Sequence, residues 1–75
     1  MKTNQVCLVI LFQGVIDSIT TFTDDKKGNE QCEELFFQKV KNIGGHVTAT
    51  NVDEFMDDYG DYYEDSKHFI QIVHS

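Results

Sequence analysis

Proline is absent from these 75 residues, and so is arginine. Without proline there is no stiff break or linker, and no segment repeats another, so residues 1–75 read as a single domain. Without arginine there is no side chain for bidentate phosphate recognition. Cysteine is scarce. Cys7 and Cys32 form no CxxC and are too few for a disulfide scaffold, which fits a reducing compartment, read as the cytoplasm (the host's, for a viral protein). Long apolar runs are missing too. "VCLVILF" is only seven residues and cannot span a bilayer, so no membrane partner is expected. With Lys2 ahead of it the run has the look of a secretory leader. No small-residue cleavage site follows, however, and "GVIDSITTF" continues as a strand would.

What is present is apolar and aromatic enough to fold, with 40% apolar residues and six phenylalanines. A chain this short buries only about 60% of its unfolded surface, so its core is small and a partner would help it. "QVCLVILF" (5–12) reads as a strand, "QG" (13–14) as a hairpin turn, and "VIDSITTF" (15–22) as a second strand. The second alternates only roughly, as an edge or bulged strand does. Thr23 offers an N-cap, with Asp24 and Asp25 in the first turn. Cys32, Leu35, Phe36, Val40 and Ile43 then recur at helical spacing until "GG" (44–45). This predicts a helix over 24–43. Gly28 lies on the same stripe as Cys32, where it would allow close packing on the sheet.

"HVTAT" (46–50) is an optional short strand. Asn51, with Glu54 three residues on, starts a second helix whose inner stripe is Val52, Phe55, Met56 and Tyr59, ended by Gly60. "KHFIQIVHS" (67–75) reads as the last strand. The expected class is α+β, in the order β-β-α-(β)-α-β, with one mostly antiparallel sheet and a long helix on one face. In the first strand Val6, Leu8, Ile10 and Phe12 share one face and Cys7, Val9 and Leu11 the other. Both faces are apolar, which predicts a central strand covered on both sides. The second cover must be the short helix or another subunit. The short stripe of the second helix is narrow for a whole sheet face. The expectation is therefore a homodimer that buries the remaining face or pairs an edge strand, with the acidic segments away from the two-fold axis.

The net charge of −7 has one source. "DEFMDDYGDYYED" (53–65) carries Asp53, Glu54, Asp57, Asp58, Asp61, Glu64 and Asp65, and no basic residue. Elsewhere six lysines balance six acids. That makes a localised negative field, and direct binding to nucleic acid is not expected. Six helical residues cover about 9 Å and bear four of these charges, while duplex DNA bears about five over that length. A row of this density can imitate a nucleic-acid backbone toward a basic cleft. Tyr59, Tyr62 and Tyr63 interleave and would add contact area. The bland alternative is a solvated helix face with tyrosines in the core, on a small homodimeric binding or regulatory module.

Other chemistry is poorly supported. An EF-hand frame starting at Asp57 puts Tyr59 and Tyr62 where an acid and a glycine belong. His68 and His74 share a strand face about 20 Å apart, too far for one metal. Cys7 with a histidine is the only nucleophile pair to name, and Cys7 sits in an apolar strand. No cofactor, no metal site and no enzymatic activity are expected. In size, in "NVDEFMDDYGDYYEDSK" and in its lysine-only basic content, the chain resembles small acidic phage inhibitors of bacterial defence, including anti-CRISPR proteins that mimic DNA. The resemblance implies a defence nuclease or another nucleic-acid-binding effector as partner, and it carries over no individual site residue.

Overall fold

A computed structural model of the protein describes residues 4–44 and 47–74. It contains β1 (Gln5–Phe12), β2 (Val15–Thr23), α1 (Lys26–Asn42), α2 (Val52–Tyr59), β3 (Tyr62–Glu64) and β4 (His68–His74). The four strands form one antiparallel sheet in the order β2-β1-β4-β3, with the long helix packed on it. The class is α+β, and the order of elements is β-β-α-α-β-β.

The most apolar strand takes a central place. β1 lies between β2 and β4, pairing Leu8 with Thr20 on one side and with Ile72 on the other. Gln13 and Gly14 turn β1 into β2 with φ of 53° and 81°, the paired left-handed geometry whose twist matches that of hairpin strands. The Gln13 N–H donates to the Lys67 carbonyl (2.6 Å), which ties this hairpin tip to that of β3–β4. The rough alternation of β2 has a physical origin. Ile10 faces Ser18 and Leu11 faces Ile16, leaving Asp17 as the extra residue of a bulge on an edge strand.

Helix α1 starts two residues later than its periodicity predicts. Thr23 closes β2, so Asp25 is the N-cap, and its carboxylate accepts from the Gly28 N–H (2.7 Å). Gly28, Cys32, Phe36 and Val40 form the buried stripe, and Lys39 and Lys41 sit in the last turn, where the helix dipole favours cations. Val47–Ala49 forms no strand, and His46 lies outside the described residues. β3, which the sequence reading missed, occupies the free edge of β4, while Val47 and Ala49 pack on the core.

Helix α2 begins as its capping residues predict. The Asn51 carboxamide oxygen accepts from the Glu54 N–H (2.9 Å), and the Glu54 carboxylate reaches back to the N–H (3.1 Å) and hydroxyl (3.2 Å) of Thr50. Its one fully buried residue, Phe55, meets Phe36 edge-on (centroids 4.9 Å apart) and also touches Phe37 (5.0 Å) and Tyr59 (4.8 Å). Phe55 thus joins a single core with Val6, Leu8, Ile10, Ile70, Ile72, Cys32, Phe36 and Val40.

Both helices therefore share one face of the sheet, so α2 is not the second cover of β1. On the other face lie Cys7, Val9 and Leu11 of β1, Ile16, Ile19 and Thr21 of β2, Phe69, Gln71 and Val73 of β4, and Tyr62 and Glu64 of β3. No described helix covers them. A thickness of 15 Å across the Cα atoms is that of two layers.

Candidate interaction surface

The acidic segment runs through α2, its C-terminal turn, β3 and the tip of the last hairpin, so its residues do not all share one surface. Phe55 anchors α2, with Val52, Met56 and Tyr59 half-buried beside it. That stripe turns Asp53, Glu54, Asp57 and Asp58 to solvent, all exposed. Asp53 and Glu54 sit in the first turn, where the positive end of the helix dipole favours them. Glu54 is also held by Thr50. Asp57 and Asp58 are different. They lie toward the C-terminal end, where the dipole disfavours anions, four residues after Asp53 and Glu54, and no basic residue occupies that turn. Asp61 follows, exposed, in the turn after Gly60.

The remaining residues are placed elsewhere. Tyr59 and Tyr63 meet each other (centroids 5.7 Å apart) on the helix side of the sheet, as part of the packing. Tyr62 points to the opposite face, stacked on Phe69 (6.1 Å), and Glu64 lies on that face too. Asp65 is engaged in a turn. Its carboxylate accepts from the N–H groups of Lys67 (2.8 Å) and His68 (2.6 Å) and from the Tyr63 hydroxyl (2.8 Å). Chiefly the Lys67 N–H, then the Tyr63 hydroxyl and the His68 N–H, hold it well below the usual carboxylate range. Tyr63 is pushed up to about 12, first by partial burial and then by donating to Asp65. The structure therefore places Asp53, Glu54, Asp57 and Asp58 as an exposed ridge on α2, with Asp61 exposed in the turn that follows, and turns Tyr59 and Tyr63 into the packing and Tyr62 to the other face.

Among the described residues, carboxylates approach a basic group within 4.0 Å only at histidines, His68 to Asp65 (3.3 Å) and His74 to Asp24 (3.6 Å). Among the described residues no lysine comes within 4.0 Å of the α2 carboxylates. Among the described residues no group of three His, Cys, Asp or Glu side chains is placed to hold a metal ion, and no helix is long and apolar enough to cross a membrane. Cys7 faces the open side of the sheet, its Sγ 3.7 Å from the Thr21 hydroxyl, whereas His68 and His74 face the helix side, so the nucleophile pair is not assembled from them. Cys32 is buried, and burial, followed by the nearby Glu33, pushes its thiol up to about 11.

The sequence reading missed the reach of the open apolar face. The bulge at Asp17 shifts Ile16 onto the same side as Ile19, and the unforeseen β3 adds Tyr62. The one available signal was the alternation of Phe69, Gln71 and Val73 in the last strand. No protein family, curated protein or solved structure matches the chain.

Proposed function

We propose that the protein is a small acidic inhibitor that occupies the basic cleft of a nucleic-acid-binding effector, such as a CRISPR or other defence nuclease of the kind phage proteins oppose. The observation that carries this reading is the position of Asp57, Asp58 and Asp61. Asp57 and Asp58 are exposed at the end of α2 and Asp61 in the turn after it, where the helix dipole and the preceding acids oppose them, and among the described residues no lysine pairs with them. Acids serving only solubility gain nothing from that arrangement, which costs a few tenths of a kcal/mol per like-charged pair. Facing a cluster of lysines and arginines, the same arrangement gives fast, steered association that weakens with salt.

The contact set is Asp53, Glu54, Asp57, Asp58 and Asp61, with Glu64 and Asp65 as outlying charge. Tyr62 contributes only if the partner reaches round the β3 edge, and Tyr59 and Tyr63 act by supporting the ridge. The test is capture from a bacterial lysate with the wild-type protein and with the Asp57→Lys/Asp58→Lys/Asp61→Lys variant, at low and high salt. A nucleic-acid-binding protein retained by the wild type, released by salt and ignored by the variant is expected. Equal recovery by both proteins, or no such partner, overturns the proposal.

A further inference from the structure

The open sheet face makes a second demand on the molecule, independent of the acidic ridge. At its centre are Val9 and Leu11, flanked by Ile16, Ile19, Phe69, Val73 and Tyr62. Four of these stand well out, with Ile16 60%, Ile19 55%, Tyr62 51% and Val73 42% exposed. Strands of eight, nine, seven and three residues, about 4.8 Å apart and rising about 3.3 Å per residue, give a plan of roughly 430 Å². Side chains standing off that plane bring the accessible area toward the ~600 Å² per partner of the smallest specific interfaces.

Charge selects the occupant. Among the paired positions of this face only Glu64 is charged, and it lies at the rim, on the edge strand β3. The α2 acids project from the opposite layer. The net charge of −7 comes from the acidic segment, so repulsion between two copies is strongest where their α2 ridges approach and weak across this patch. An open sheet face with apolar side chains also suits a second sheet, which packs about 10 Å away with interdigitating side chains.

We infer that this face is the docking surface for a second copy of the chain, giving a weak two-fold dimer with four layers, α/β/β/α. The two acidic ridges lie on its outer surfaces, facing away from each other. The inference does not rest on the proposed function, because a dimer of this geometry forms whether or not the ridges bind anything.

The test is the mass in solution across a dilution series, with Cys7 labelling as a second readout. Cys7 lies inside the patch and Cys32 is buried, so a thiol reagent on the native protein reports on the interface. A mass rising from 8.6 kDa to twice that value with concentration is expected. It should persist at high salt and be accompanied by slower Cys7 labelling. Ile19→Lys, at a position exposed in the single chain, should keep the circular dichroism spectrum and restore the lower mass and the fast labelling. Asp57→Lys/Asp58→Lys should leave the dimer intact. A mass of 8.6 kDa at every concentration overturns the inference. So does a dimer that Ile19→Lys leaves intact with Cys7 still reactive, since that copy would be pairing along an edge strand, and so does a larger mass owed to a different bound protein.

Discussion

Replacing Gly28 with alanine separates helix propensity from packing, because the two predict opposite signs. In an exposed helix the change would stabilise by about 1 kcal/mol. Here an added Cβ would overlap the backbone carbonyl oxygen of Thr23, with the carbonyl carbon 2.8 Å and the Asp25 carboxylate 3.1 Å away. Carbon atoms in contact settle at about 3.5–4.0 Å, so the end of β2 or the first turn of α1 must retreat by about 1 Å. Such overpacking costs about 1–3 kcal/mol or more. The shift also loosens the Asp25–Gly28 cap, worth about 1 kcal/mol. Against the propensity gain, a net loss of about 1–3 kcal/mol is expected. A domain this small loses about 4–8 °C in Tm per kcal/mol, so the midpoint should fall by about 4–24 °C. Thermal and urea unfolding followed by circular dichroism measure it, with an unchanged urea slope showing that stability alone has moved. A rise in Tm would refute the close approach of α1 to β2.

Phe55→Ala removes the ring that holds α2 to the core and should cost about 3–5 kcal/mol, most of what a chain of this length has, so the variant should be largely unfolded at 37 °C; a Tm within a few degrees of wild type would show that α2 is not anchored there. Asp57→Lys/Asp58→Lys should raise stability by about 1 kcal/mol, seen as a higher Tm, by suiting the helix dipole and ending two like-charge contacts, and a lower Tm would mean those acids serve the fold. Asp65 has a lower pKa folded than unfolded, so its stabilising contribution is fully present above about pH 4, the unfolded carboxylate value, and is lost as pH falls further. Asp65→Asn, whose amide oxygen still accepts in the turn, should flatten the fall of stability below that pH in acid titrations, and an unchanged profile would contradict the turn's role.

Much of this fold is legible in side-chain periodicity. The double-faced apolar pattern of residues 6–12 requires a central strand, and the spacing of Cys32, Phe36 and Val40 requires a helix on it. The Asn51–Glu54 cap is readable because both partners are local. What escaped depends on distant contacts. β3 is three residues long and exists because the edge of β4 is free to pair with Tyr62 to Glu64, which nothing inside the acidic segment announces. Thr23 and Asp25 compete for one cap, and the register of β2 on β1 decides it. The acidic ridge was legible as charge, but not its division. Tyr63 and Asp65 are drawn into a turn with Lys67 and His68, and Tyr62 is carried to the opposite face by strand alternation.

On the proposed function the α2 ridge competes with nucleic acid for a basic surface. The direct measurement is displacement of labelled duplex from the effector captured by the wild-type protein, titrated with the wild type, with Asp57→Lys/Asp58→Lys/Asp61→Lys and with Ile19→Lys. Complete displacement by the wild type and by Ile19→Lys, weakening as salt rises, with none by the charge-reversed protein, is the predicted result. Nucleic acid that stays bound at saturating wild-type protein, or that the charge-reversed protein displaces equally well, would contradict it.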